Sequence, residues 1–390
     1  MILVVGASAS GLSVVEALRR NDFAGRIGLV GEEPQLPYDR PPLSKQVLAG
    51  EWVPERTALR QPEQVRALDV ELRLGQRATG VDLENHAVDL ADGSRIRYDT
   101  LVVATGLTPR QLPGQQGLHG VHQIHKLDDS LALRQELLTA RQVAVIGAGV
   151  LGCEIAATAR GLGREVTLID PATTPMFRQI GPWLGGLVGE MQTRQGVRLL
   201  TNTSVLGLES EQGRVTGVRV GRNTVVPADV VVVAIGGVPA TGWLASSGLR
   251  IENGVVCDSQ CRAAADVYAV GDVASFHHVD YDTRMRLENR TNATEQGIFV
   301  AAAIAGSDRP YRPVPYFWTD QYENRIQVHG IVPPDAAVRV VEGLPADDKF
   351  VAVAESKGRV AAAIGWNHPR GVRSLRPLVL DGMTASTQPR

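Results

Sequence analysis

The sequence predicts an α/β protein with two Rossmann-like dinucleotide-binding units, and three observations carry that prediction. Two glycine turns, Gly6-Ala7-Ser8-Ala9-Ser10-Gly11 and Gly147-Ala148-Gly149-Val150-Leu151-Gly152, each lie between an apolar run and a segment of helical spacing. Two further apolar runs, Leu101-Val102-Val103-Ala104-Thr105-Gly106 and Val230 to Ile235 with Gly236-Gly237, end in small residues. Glycine is in excess, at 41 of 390 residues, where roughly 7% is usual.

In the first unit Ile2 to Val5 reads as a buried strand, and Leu12, Val15 and Leu18 recur at helical spacing after the turn. In a dinucleotide-binding turn the first glycine permits the bend, the second admits the pyrophosphate and the third lets helix and strand pack closely. Ser8 takes the second place here. The helix N-terminus still offers free N–H groups and a positive dipole end to a phosphate. A second strand, Ile27 to Val30, leads to Gly31-Glu32-Glu33, where an acid can accept from ribose hydroxyls. A purely structural turn is the other reading of this copy.

The second unit has all three glycines. Val143 to Ile146 precedes the turn, Cys153 to Leu162 follows as helix, and Glu165-Val166-Thr167-Leu168-Ile169-Asp170 is a strand ending in an acid. A carboxylate at Asp170 can accept from both ribose hydroxyls and repels a 2'-phosphate, which favours NADH over NADPH. The alternatives are that Asp170 caps the next segment, or that Arg178 reaches a phosphate. Two units in one chain point to two different dinucleotides, one fixed and one exchanging, as a carrier of reducing equivalents requires. The runs ending at Gly106 and Gly237 predict that the chain leaves the first domain near 107 and returns near 230, leaving that domain discontinuous. On the return, Asp266-Val267-Tyr268-Ala269-Val270-Gly271-Asp272 is a short strand whose Gly-Asp end can aim a carboxylate at a cofactor.

Composition excludes several other classes. With 44% hydrophobic and 21% charged residues the chain is neither a disordered polymer nor a membrane bundle. A formal charge of -2 supplies no general attraction for nucleic acid. No apolar run approaches the roughly 20 residues of a membrane span, and the N-terminus lacks a basic region and a cleavage site. Three Cys make no disulfide framework and point to the cytoplasm.

Several segments are more specific. These are Pro37-Tyr38-Asp39-Arg40-Pro41-Pro42-Leu43-Ser44-Lys45, Ala104-Thr105-Gly106 with Pro109-Arg110, Gly147 to Glu154, Tyr268 to Asp272, Asn292-Ala293, and Phe317-Trp318-Thr319-Asp320-Gln321-Tyr322. Through them nearly the whole chain resembles the NADH-dependent, FAD-containing ferredoxin reductases of the putidaredoxin reductase type, among the glutathione-reductase-like flavoproteins. The resemblance implies an FAD-binding domain over 1–107 and 228–310, an inserted NADH-binding domain over 108–227, and a C-terminal α+β domain over 311–390. It implies FAD contacts at Gly6, Ser10, Gly11, Glu32, Lys45, Ala78, Thr105, Gly106, Asp272, Arg290 and Trp318. For NADH it implies Gly147, Gly149, Val150, Leu151, Gly152, Asp170 and Gly236. Lys45, Glu154 and Trp318 become the catalytic candidates, with Lys45 beside the flavin ring and paired to Glu154, and Trp318 flanking the ring. The implied activity passes electrons from NADH through flavin to a two-iron, two-sulfur ferredoxin that serves a monooxygenase or dioxygenase. NADH oxidases, rubredoxin reductases and other FAD/NADH electron-transfer components share this architecture, and a non-enzymatic redox sensor is a further alternative.

Three features depart from the family pattern. His125 stands where an FAD-contacting Arg is common, so that contact is lost or needs a protonated imidazole. Arg290 occupies a position often apolar or aromatic in the family, and the C-terminal domain is short, with a Gly-, Ser- and Thr-containing tail. No Cys precedes Cys153, which excludes a dithiol relay on the first helix. Cys153, Cys257 and Cys261 read as packing residues. His277, His278 and Asp280 read as a solvated loop rather than a metal site. Lys349, Arg370, Arg373 and Arg376 could form a docking patch for an acidic ferredoxin.

Overall fold

A computed structural model describes residues 1–384. The last six residues of the tail, and with them the end of the C-terminal domain expected over 311–390, lie outside the described residues. Strand Ile2–Val5 is the heart of a six-stranded sheet ordered 262–264, 267–269, 100–103, 2–5, 27–30, 71–73. It pairs in parallel on both sides, Ile2 opposite Ile27 and Thr100. All four of its residues are buried, because a parallel strand covered on both faces has no solvent side. Helix Ala9–Arg20 covers one face and packs against helix Arg290–Ile304.

A second parallel sheet follows the order 198–200, 165–169, 142–146, 230–233, 121–122. Its centre repeats the first, with Gln142–Ile146 paired in register to Glu165–Ile169 and to Val230–Val233. The chain crosses to this unit through Leu107–Pro109 and returns through Gly237–Pro239. These two crossings pair antiparallel, Val238 opposite Thr108, as a two-stranded ribbon. Beyond the return, Val267–Ala269 rejoins the first sheet in parallel with Leu101–Val103.

The third sheet is antiparallel, ordered 316–321, 324–330, 359–366, 349–356, 337–344, with two short helices, Pro369–Ser374 and Arg376–Thr384, behind it. Side chains alternate along strand Tyr316–Gln321. Thr319 and Gln321 are buried, while Tyr316 and Trp318, on the opposite face, are partly exposed. One apolar core runs through Leu43, Val47, Val145, Ile155, Val188, Ile326 and Trp366, so the third sheet, the second unit and the segment around Lys45 share a single interior. Ligands of parallel α/β sheets bind beyond the carboxyl ends of the strands. The chain gathers its polar groups at those ends.

Candidate active site

The second glycine turn is shaped by contacts that only glycine permits. Gly147 sits at φ +101°, and a Cβ there would lie 2.3 Å from the Ala234 carbonyl oxygen. A Cβ on Gly152 would lie 1.8 Å from the Gly147 oxygen, so the helix starts in backbone contact with the turn. Gly149 differs, since a Cβ there would meet nothing within 4 Å. The first turn repeats the pattern at Gly6 and Gly11.

Neither Rossmann helix has its leading N–H groups capped. Ser8 and Gly149 are extended N-caps without a side-chain hydrogen bond, and neither first turn carries an acid. Helix Arg290–Ile304 behaves differently, for Asn289 Oδ1 accepts from the Asn292 amide at 2.8 Å. Two uncapped, positive helix ends at the carboxyl edges of two parallel sheets fit two pyrophosphates.

Around the second turn, Asp170 accepts from the Ala148 amide at 2.6 Å and from the Ala172 amide at 2.7 Å. The carboxylate therefore ties the turn to the next loop, and each oxygen keeps a lone pair for a ribose hydroxyl. Val150 and Leu151 open the helix, and Gly236 stands at φ +87° where the return crossing begins. Arg178 is exposed.

Around the first turn, Glu32 meets Lys126 at 3.2 Å. Its neighbour Glu33 binds Arg40 at 2.7 Å and accepts from the Tyr38 hydroxyl. Arg40 also donates to the His125 carbonyl. Burial, and next the Arg40 charge, hold the His125 imidazole down to about 4, so the ring is neutral at pH 7. The charged contact open to a protonated His125 is therefore unavailable near neutrality. Arg290 is engaged by Asp39 and Thr294, Ala78 is buried at the head of strand Ala78–Asp82, and Thr105 Oγ1 donates to the Ala240 carbonyl at 2.9 Å. Gly106, at φ +68°, follows Thr105 at the start of the outward crossing. Ser10 is buried beside Gly271, whose amide is held by Gln296 Oε1 at 2.8 Å. Asp272 follows Gly271, its carboxyl pushed up to about 7 by burial and then by Glu288, against the pull of Arg286 and Arg40. A carboxyl so placed, with no hydrogen bond to its side chain among the described residues, suits a ligand hydroxyl.

The two units meet at Lys45 and Glu154. Lys45 Nζ lies 2.9 Å from Glu154 Oε2, with the side chains 12% and 6% exposed. Ser44 Oγ donates to the same oxygen at 2.6 Å, and Thr319 Oγ1 donates to Oε1 at 2.9 Å. Read as isolated residues these would be ordinary surface charges. The fold buries them because the segment 41–49 packs against helix Leu127–Leu137 and against the helix that starts at Val150, which in turn meets strand Tyr316–Gln321 of the third sheet. On the other face of that sheet Trp318 stacks on Tyr316 at 6.0 Å, and Tyr316 on His329 at 4.5 Å.

The clusters outside this site are structural. Cys153, Cys257 and Cys261 are free and buried, and burial pushes all three thiols up, Cys257 to about 12. The expectation of a solvated loop at His277, His278 and Asp280 is corrected: His277 and His278 end strand Ala274–His278, and His278 and Asp280 are buried. His278 Nε2 bonds the Pro313 carbonyl at 2.9 Å and Asp280 binds Arg312 at 2.8 Å, so the segment anchors the linker to the third sheet. Among the described residues no group of three or more His, Cys, Asp or Glu could hold a metal ion, and no helix is long and apolar enough to cross a membrane.

Ser44, Thr319 and Gln321 lay inside the motifs that sequence reading quoted, yet received no role there. Gln192, which bonds Gln321, lies in a helix with no motif to single it out.

The fold and the site define an oxidoreductase built to hold two dinucleotides, with no cysteine on its first Rossmann helix. The chain belongs to the pyridine nucleotide-disulphide oxidoreductase family, which it matches over residues 1–297, and within it to the putidaredoxin reductase type, whose reductase C-terminal domain it matches over 316–388. It is 38% identical to a "Probable ferredoxin reductase" of Castellaniella defragrans, over 93% of this chain and 89% of that one. To putidaredoxin reductase of Pseudomonas putida it is 33% identical, over 97% and 92%. Among solved structures, the ferredoxin reductase for the CYP199A2 system of Rhodopseudomonas palustris superposes with a TM-score of 0.94 at 33% identity, covering 97% of this chain and 94% of that one.

Proposed function

We propose that this chain carries electrons from NADH, through FAD held by the first unit, to a two-iron, two-sulfur ferredoxin that serves an oxygenase. The observation that carries this reading is the Lys45–Glu154 pair, in which the first unit supplies the ammonium, the second the carboxylate and the third sheet the hydroxyl that steadies it. Bound flavin supplies the exchange between two-electron and one-electron chemistry. The chain's own part is positioning. Gly6, Ser10, Gly11, Glu32, Ala78, Thr105, Gly106, Asp272 and Arg290 would hold FAD, and Gly147, Gly149, Val150, Leu151, Gly152, Asp170 and Gly236 would hold NADH. Lys45 offers a fixed positive charge where negative charge develops, and needs no reorganisation to do so. Trp318, partly exposed, presents an aromatic edge toward an acceptor.

The units assigned to these cofactors are 1–107 with 228–310 for FAD, 108–227 for NADH and 311–390 for the C-terminal domain. Sheet connectivity supports them, since strand Val267–Ala269 completes the first sheet after the second has closed. Three unpaired thiols suit the reducing cytoplasm. The acceptor is assigned by kinship with proteins named as ferredoxin reductases and with one named as a putidaredoxin reductase. The test is anaerobic titration with NADH and then NADPH, recording visible absorption, followed by oxidised two-iron ferredoxin. Bleaching by NADH and recovery as ferredoxin is reduced are expected. Bleaching without ferredoxin reduction would move the assignment to an oxidase or another acceptor, and a protein that takes up no flavin would overturn it.

A further inference from the structure

Strand Tyr316–Gln321 faces the second unit with polar groups where a domain core would ordinarily place apolar ones. Thr319, Gln321 and Gln192 are 0%, 1% and 0% exposed. They form a chain of hydrogen bonds. The Tyr322 hydroxyl donates to Gln192 Oε1 at 2.9 Å, and Gln192 Nε2 donates to Gln321 Oε1 at 2.9 Å. Gln321 Nε2 then donates to Thr319 Oγ1 at 3.2 Å, and Thr319 donates to Glu154 Oε1 at 2.9 Å.

The direction of this chain is set by donor and acceptor counts. A primary amide nitrogen only donates, so Gln321 Nε2 occupies a lone pair of the Thr319 hydroxyl and leaves its one proton for Glu154. The backbone adds an anchor, for Gln192 Nε2 also donates to the Cys153 carbonyl at 3.1 Å, one residue before Glu154. Every link therefore points at the carboxylate. Its other oxygen receives Ser44 and Lys45.

We infer that Thr319, oriented by Gln321 and Gln192, is a positioning residue: it locks the Glu154 carboxylate and, through it, the place of the Lys45 ammonium. The inference rests on the proposed function for its meaning but not for its geometry. Glu154 held on one oxygen alone could rotate about its last bond, and Lys45 would follow it. Buried networks of this kind hold a geometry when complete and lose it when one member is missing.

The test replaces Thr319 by Val, which keeps the shape and removes the hydroxyl, and by Ser, which keeps the hydroxyl. In the FAD-loaded full chain, acetylation of Lys45 followed by mass spectrometry should run about five- to tenfold faster in Thr319→Val and stay within about twofold of the parent in Thr319→Ser. The flavin reduction equilibrium should shift by about tenfold in Thr319→Val, about 30 mV for a two-electron couple, with the KM for NADH unchanged. If Thr319→Val does not fold, Gln321→Met, which frees the Thr319 hydroxyl, should raise Lys45 acetylation at least about twofold. Parental acetylation and potential in folded Thr319→Val, or parental acetylation in Gln321→Met where that variant takes its place, would overturn the inference. If the parent binds no flavin, the function proposed above fails instead, and acetylation of the flavin-free chain still decides whether Thr319 fixes Lys45.

Discussion

His125 stands against Arg40, and that neighbour decides what its ring can do. Arg40 already donates to the His125 carbonyl, so a second cation at this point would face repulsion. The imidazole instead stays neutral, held down to about 4 by burial and Arg40. His329, beneath Tyr316, is also held at about 4, by burial and then by Arg376 and Arg373. For both rings the unfolded chain binds the proton more tightly than the folded one. The stability they contribute is thus complete above about pH 6.5 and is lost as pH falls toward 4. Allowing for solvent screening at these partly buried rings, each accounts for about 1–2 kcal/mol across that window. His125→Gln should flatten the fall of melting temperature between pH 6.5 and 4.5; a slope equal to that of the parent would remove His125 from the account.

At the scale of elements the glycine turns carry two separate demands, and the second turn lets them be pulled apart. Gly152 is required by the fold, since a Cβ would lie 1.8 Å from a backbone oxygen that cannot retreat. Gly149 has ordinary φ and open space around it, so nothing in the protein itself demands glycine there. Gly152→Ala should cost about 3 kcal/mol of stability through overpacking. Gly149→Ala should cost less than about 1 kcal/mol as a helix cap, yet raise the KM for NADH about tenfold by displacing the pyrophosphate. Thermal melting and steady-state kinetics on the two variants check this, and an unchanged KM in Gly149→Ala would mean that no ligand occupies the space. These turns were legible in the sequence because a backbone contact that excludes every side chain leaves a mark no other residue can make. The partners of Glu154 were less legible. A Gln on a helix or a Thr on a strand has many local uses, and only the docking of the third sheet brings Gln192, Gln321 and Thr319 into line. His278 and Asp280 misled for the same reason, since their burial depends on Pro313 and Arg312, more than thirty residues away.

For the whole molecule, the interruption of the first parallel sheet by the second was readable from two apolar strands ending in glycine, but the arrangement of surface charge was not. Lys349 adjoins Asp348, whose carbonyl accepts from Asn367 Nδ2 at 2.9 Å, at the end of the third sheet where strand Asn324–Gly330 begins. Arg373 and Arg376 instead act on His329 near the other end of that strand. At about 3.4 Å per residue along a strand, the four suspected cations are spread over more than 10 Å. Arg373 and Arg376, both exposed, lie with the run of rings from His329 through Tyr316 to Trp318. On a chain of formal charge -2, two cations beside a partly exposed aromatic edge would orient an acidic ferredoxin more than they would attract it from a distance. The double charge reversal Arg373→Glu with Arg376→Glu should therefore lower kcat/KM for ferredoxin about tenfold at low salt, with the gap closing as salt approaches about 0.5 M and screening shortens. Flavin bleaching by NADH should stay at the parental rate, because neither arginine touches the Lys45–Glu154 pair. An unaltered ferredoxin rate at low salt would place the docking surface elsewhere, whereas slower bleaching would show that the two arginines support the site itself rather than the partner.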